Sequence, residues 1–76
     1  MNDYLLPKRD VVRALAADRM TLEDYDPTIF GLVWDGADWT IQEDSLTEGE
    51  ALYWADQVAS YGERVGLFRW EGVQVA

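Results

Sequence analysis

Residues 28–42 have the pattern of a β-hairpin whose first strand is buried on both faces. The run Thr28–Trp34 is rich in β-branched, aliphatic and aromatic residues, and Asp35-Gly36 after it is a strong turn signal. The next strand alternates, which sends Trp39 and Ile41 to one face and polar residues to the other. A strand that is apolar on both faces belongs in the middle of a sheet. The hairpin therefore predicts packing on both sides of its first strand.

A helix is predicted on each side of this hairpin in the chain. The first spans about Pro7 to Arg19, because Pro7 suits a first helical turn and an apolar stripe follows at helical spacing. The second has Thr47 as its N-cap, in a capping-box pattern with Glu50, and runs to about Tyr61, with Gly62 as its stop. The carboxylates at positions 43, 44, 48 and 50 are expected to crowd the start of this second helix, where the helix dipole favours negative charge.

The remaining sequence completes one small domain of residues 1–76. Arg64–Trp70 reads as a third strand beside the first, and residues 73–75 as a short fourth strand at an edge. The predicted class is α+β in the order α-β-β-α-β(β), with two helices packed on a three- or four-stranded, mostly antiparallel sheet. The four tryptophans are expected mainly in the core, and Trp39 or Trp70 are the first candidates for exposure.

Charge is segregated along this chain. It has 15 acidic and 6 basic side chains, a net charge of −9, and residues 20–63 contain no lysine or arginine. Four of the six bases lie in the first helical segment, where we expect Arg19 to pair with Glu23 and the others to meet acids across the fold: Lys8, Arg9, Arg13 and Arg19. A surface of this kind repels nucleic acid and anionic membranes and attracts proteins that carry a basic groove.

The residue types that most enzymes use are missing. There is no histidine or cysteine, Ser45 and Ser60 sit in no nucleophile motif, and the glycines form no phosphate-binding loop. The acidic loops lack the ligand spacing of a calcium site. We therefore predict a protein that is not an enzyme and has no cofactor or metal. The N-terminus lacks the pattern of a secretion signal and no apolar run spans a bilayer, so the prediction is a soluble, cytoplasmic protein.

Carboxylates are the predicted partner-binding residues, because they can stand in for the phosphates of a nucleic acid. They fall into a loop, the hairpin, the start of the second helix and its outer face: Glu23, Asp24, Asp26, Asp35, Asp38, Glu43, Asp44, Glu48, Glu50 and Asp56. In size, αβ makeup, acidity and lack of catalytic residues, the whole chain resembles the small acidic proteins of phages and mobile elements that block host defence. These are the anti-CRISPR proteins and the nucleic-acid mimics that inhibit restriction enzymes.

The resemblance implies a mode of action and no specific site residue. An inhibitor of this type occupies the positively charged groove of a CRISPR effector or nuclease in the cytoplasm of the infected bacterium, and blocks DNA binding by acidic mimicry. Its partner is a basic host protein or ribonucleoprotein complex, with no direct binding to nucleic acid or membrane.

Two other interpretations stay open on the sequence. An antitoxin-like or regulatory protein–protein interaction module would neutralise a basic partner through exposed aromatic residues, with the acids mainly steering the encounter. Alternatively, the acidity reflects adaptation to a salt-loving or high-GC host. Oligomeric state is also open, since a basic first helix opposite an acidic body permits either head-to-tail or twofold self-association.

Overall fold

The computed structural model describes residues 4–72 and contains a three-stranded sheet with a helix on each face. The elements follow in the order α1 (Lys8–Ala17), β1 (Thr28–Trp34), β2 (Trp39–Leu46), α2 (Glu48–Ser60) and β3 (Arg64–Trp70), with a 3₁₀ turn at Leu22–Asp24 before β1. The α+β class and the predicted element order are confirmed. The fourth strand predicted at residues 73–75 lies outside the described residues.

The sheet has the strand order β2-β1-β3, and both pairings are antiparallel. β1 is therefore the central strand, as its apolar pattern predicted, and β3 lies beside it. The hairpin loop comprises residues 35–38, so β2 starts at Trp39, one residue later than predicted.

The face that α1 covers holds the larger cluster of buried side chains. Val11 of α1 packs with Phe30 and Leu32 of β1 and with Phe68 of β3. Trp39 and the neighbouring isoleucine of β2 pack against the same cluster, which confirms the face predicted for them.

The opposite face packs against α2. Ala51 and Ala55 of the helix are buried with Ile29 and Leu67, and the indole ring of Trp54 packs against the same cluster. Small residues at the helix contact allow α2 to lie close to the sheet. The helix is capped as predicted: the Thr47 side chain accepts a hydrogen bond from the backbone N–H of residue 50, and the side chain of that glutamate accepts one from the Thr47 N–H.

β2 extends further than the sequence pattern suggested, and this corrects one prediction. The strand runs to Leu46, so Glu43 and Asp44 lie on its second half and not at the start of α2. Its pairing with β1 contains two register shifts, and Ser45 has a positive φ of 57°. Extra residues of this kind let an edge strand bend and continue while one face stays on the core.

The segment before α1 lies along the outer edge of β3. The Leu6 N–H donates to the Leu67 carbonyl at 2.7 Å, and Leu5 forms a parallel bridge with Leu67. All four tryptophans are half-buried, so neither Trp39 nor Trp70 is fully exposed. Within residues 4–72, neither helix is long and apolar enough to cross a membrane.

Candidate functional site

Two acidic depressions adjoin each other at Tyr25, beside β2. The first has a volume of about 400 Å³, and its lining includes Asp18, Glu43 and Asp44. The second has a volume of about 490 Å³, and its lining includes Asp24 and Asp26, with the end of β2 opposite them. Tyr25 lines both depressions, and among residues 4–72 no lysine or arginine lines either. We call these five carboxylates and the tyrosine between them the Tyr25 acidic surface.

Tyr25 is fixed from two sides, so the loop that carries the acids is anchored to the core. Its ring meets the ring of Phe30 edge to face, with centroids 5.4 Å apart, and its backbone carbonyl accepts a hydrogen bond from Trp70 Nε1 at 3.2 Å. The preceding turn is held by Leu22, which is buried. Asp24 and Asp26 therefore project from a supported backbone, which lowers the entropic cost of holding them for a partner.

The bulged half of β2 supplies the other side of the surface. Glu43 pairs with Gly31, whereas Ile41 pairs with the next residue of β1, so Gln42 is an extra residue between them. Without that insertion the side chains that follow would point to the opposite faces of the sheet, because side chains alternate with a period of two. The bulges thus decide where the carboxylates of the second half of β2 point.

Sequence reasoning missed Asp18 and the central position of Tyr25. Asp18 lies just outside the base-free segment, beside Arg19, and nothing in its local sequence indicates that it faces β2. The sequence places Tyr25 in a loop and gives no sign of its contact with Trp70, because that contact spans 45 positions of the chain. Both positions depend on long-range packing.

The two acids of the hairpin loop lie at the other end of the sheet, roughly 20 Å away along a seven-residue strand. Asp38 Oδ1 lies 3.0 Å from Arg13 Nη1, and the Arg64 guanidinium carbon lies 5.4 Å from the centre of the Trp34 ring in the same region. Asp35 accepts hydrogen bonds from the backbone N–H groups of Asp38 and residue 37, both at 2.8 Å, and these bonds hold its pKa below the ordinary value. This end has mixed charge.

The acids of α2 are also engaged locally. Glu48 Oε1 lies 3.0 Å from Arg69 Nη2, and Asp56 Oδ1 accepts a hydrogen bond from the Tyr4 hydroxyl at 2.9 Å. Glu50 closes the capping box. The Thr47 backbone N–H, with a smaller contribution from the Thr47 side chain, lowers the pKa of Glu50. These three carboxylates therefore have structural partners on the α2 side of the sheet.

Glu23 does not line the same depression as the nearby Asp24 and Asp26. It lines a different depression, of about 500 Å³, together with Lys8, Arg69 and Trp70. The ion pairs within residues 4–72 are Arg9–Asp10, Arg13–Asp38 and Arg69–Glu48, so the predicted Arg19–Glu23 pair is not formed there. Of the ten predicted partner-binding residues, the structure brings together Asp24, Asp26, Glu43 and Asp44, and places the other six elsewhere.

The most exposed aromatic side chains within residues 4–72 lie on α2 and at its C-terminal end. Tyr53 is 70% exposed and Tyr61 is 79% exposed. Helical spacing predicts that Tyr53 shares the outer face of α2 with Asp56, Gln57 and Ser60, and all four are exposed.

No group of three or more acidic residues within residues 4–72 has the geometry of a metal site. Comparison with protein-family models, with curated proteins and with solved structures finds no match to this chain.

Proposed function

We propose that this protein is an anti-CRISPR type inhibitor that occupies the basic nucleic-acid-binding groove of a host-defence complex or nuclease. The observation that carries the proposal is the Tyr25 acidic surface, where Asp24, Asp26, Glu43 and Asp44 lie together and no base of the described part of the chain lines the depressions. A groove that binds nucleic acid gains affinity by neutralising phosphates with lysine and arginine. These carboxylates form no ion pair within residues 4–72 and project from a supported backbone, so they offer the same groove a competing anion.

The rest of the charge distribution favours one docking orientation. Elsewhere in residues 4–72, bases neutralise some of the acids: Arg13 contacts Asp38 at the hairpin end of the sheet, and Arg69 contacts Glu48 beside the second depression. A cationic groove is therefore attracted most strongly to the side of the molecule that carries the Tyr25 acidic surface. The net charge of −9 adds a long-range attraction that speeds the encounter and weakens as salt rises.

The test is competition for target DNA across a panel of purified CRISPR effectors and restriction nucleases. The surface variant carries Asp24→Asn, Glu43→Gln and Asp44→Asn. The matched control carries Glu23→Gln, Glu63→Gln and Glu71→Gln, three exposed acids that line neither Tyr25 depression, so both proteins lose the same charge.

We expect the wild-type protein and the control to displace target DNA, and the surface variant to need a concentration at least about tenfold higher. The affinity of the protein for the effector, measured directly without DNA, should fall steeply as salt rises. The competition mechanism is contradicted if an effector that binds this protein still binds its target DNA undiminished when the protein is saturating. Equal losses in the two variants contradict the assignment to this surface.

A second candidate function is supported by the exposed tyrosines. An antitoxin-like or regulatory module would anchor a basic partner on Tyr53 and Tyr61, since tyrosine is among the residues that most often dominate interface energies. Such an interface would depend little on salt. Loss of binding in a Tyr53→Ser/Tyr61→Ser variant, with the Asp24/Glu43/Asp44 variant unaffected, would favour this function over mimicry.

A further inference from the structure

Two exposed helix faces have complementary chemistry and lie on opposite sides of the sheet. The outer face of α1 carries Arg9, Val12, Arg13 and Ala16 at the spacing i, i+3, i+4 and i+7, and all four are exposed. Val12 is 47% exposed, which is high for an aliphatic residue in a helix that also has a buried stripe. The face is basic with an apolar centre.

The outer face of α2 is aromatic and acidic. Tyr53, Asp56 and Gln57 lie on it, and Tyr61 follows at the end of the helix, about 12 Å from Tyr53 along the axis. The helix contains no lysine or arginine. An arginine can stack on a tyrosine ring and reach a neighbouring carboxylate at the same time, which a lysine does less well.

We infer that the outer face of α1 of one molecule docks on the outer face of α2 of a second copy. The two faces are complementary in charge and in shape. The arginines meet the tyrosines and Asp56, Val12 meets the aromatic surface, and the small side chain of Ala16 permits close approach of the helices. The Arg9 and Arg13 side chains are 86% and 83% exposed, and exposed ion pairs such as theirs with Asp10 and Asp38 are weak enough to exchange partners.

The placement of the helices determines the kind of assembly. α1 and α2 cover opposite faces of the sheet. Each molecule therefore contacts one neighbour through α1 and a second neighbour through α2, and the contact repeats head to tail. None of the residues of the Tyr25 acidic surface belongs to either of these two helix faces. The inference is therefore independent of the proposed inhibitor function. It predicts dimers, trimers and larger head-to-tail assemblies instead of a single twofold dimer.

Sedimentation velocity of the purified protein over a wide concentration range tests the inference. Salt should be near physiological, where repulsion between the acidic molecules is screened beyond about 8 Å. We expect the average sedimentation coefficient to rise with concentration without reaching a plateau at the dimer. NMR shifts that change on dilution should map to the outer faces of α1 and α2. A protein that stays monomeric at all concentrations overturns the inference.

Two variants distinguish the geometry. The first, Arg9→Gln/Val12→Ser, removes docking contacts of the α1 face and leaves the Arg13–Asp38 contact intact. The second, Tyr53→Ser/Tyr61→Ser, removes docking contacts of the α2 face. Each alone should be monomeric, whereas an equimolar mixture should form dimers and nothing larger, because only one productive contact remains. Arg19→Gln removes the same charge outside α1 and should associate like the wild type. Dimers of the first variant alone, or no dimers in the mixture, would overturn the head-to-tail contact. All substituted side chains are exposed, and circular dichroism verifies folding.

Discussion

The indole ring of Trp54 lies directly over Gly31, so that a Cβ atom at Gly31 would be 2.7 Å from the ring carbon Cζ3. This contact joins α2 to the central strand. Glycine is required there because the ring occupies the volume that any side chain would need.

Gly31→Ala should destabilise the fold by about 1–3 kcal/mol, since a methyl group at this point overpacks the contact with Trp54. Urea denaturation measures the free energy of unfolding. Gly49→Ala is the control, because a Cβ at Gly49 meets nothing within 4 Å, and alanine in a helix should be neutral or stabilising by up to about 1 kcal/mol. The cost of Gly31→Ala should shrink in a Trp54→Leu background, and an unchanged cost there would show that the ring is not its cause.

Thr47→Ala should cost about 1 kcal/mol, because it leaves the N–H of residue 50 at the start of α2 without its side-chain acceptor. Thr47→Ser should retain most of the stability. Thr21→Ala provides the comparison, since Thr21 precedes the 3₁₀ turn without a side-chain cap hydrogen bond. Equal costs at the two threonines, measured by urea denaturation, would contradict the role assigned to the cap.

Asp35 and Glu50 should make folding stability depend on pH in the acid range. Backbone N–H donors lower the pKa of both carboxyl groups in the folded state, so their contribution is present above the unfolded pKa of about 4 and is lost as pH falls through the lower folded pKa. We expect the stability difference between the wild type and an Asp35→Asn/Glu50→Gln variant to narrow as the solution is acidified below about pH 4. NMR titration of the two carboxyl groups provides the direct check, and ordinary midpoints would contradict the prediction.

Ser45→Gly should stabilise the protein, whereas Ser45→Val should destabilise it. Ser45 has a φ of 57°, a left-handed conformation that costs an L-residue roughly 1–2 kcal/mol and is worst for β-branched side chains. Part of the gain for glycine is offset by the greater backbone entropy of the unfolded chain, so we expect Ser45→Gly to stabilise the fold by less than about 1 kcal/mol. Thermal denaturation with opposite signs for the two variants would confirm the strained bulge beside Asp44. The same sign for both would argue that Ser45 relaxes out of this conformation.

Features that depend on neighbouring residues could be predicted from the sequence. The hairpin, the central position of β1, the extent of β3 and the capping box of α2 follow from patterns within a few residues, because backbone dihedral preferences and side-chain caps act locally. The outer face of α2 followed from helical spacing in the same way.

The sequence by itself determined a small α+β domain with a strongly acidic, base-free middle segment. Only the tertiary structure decided which acids lie together. β2 continues through its bulges, so that Glu43 and Asp44 lie on this strand. Packing against Phe30 and Trp70 places Tyr25 beside them. Arg13 and Arg69 pair with acids far along the chain. Register and long-range contacts come from the joint packing of all the elements, and a one-residue shift in β2 redirects every side chain after it.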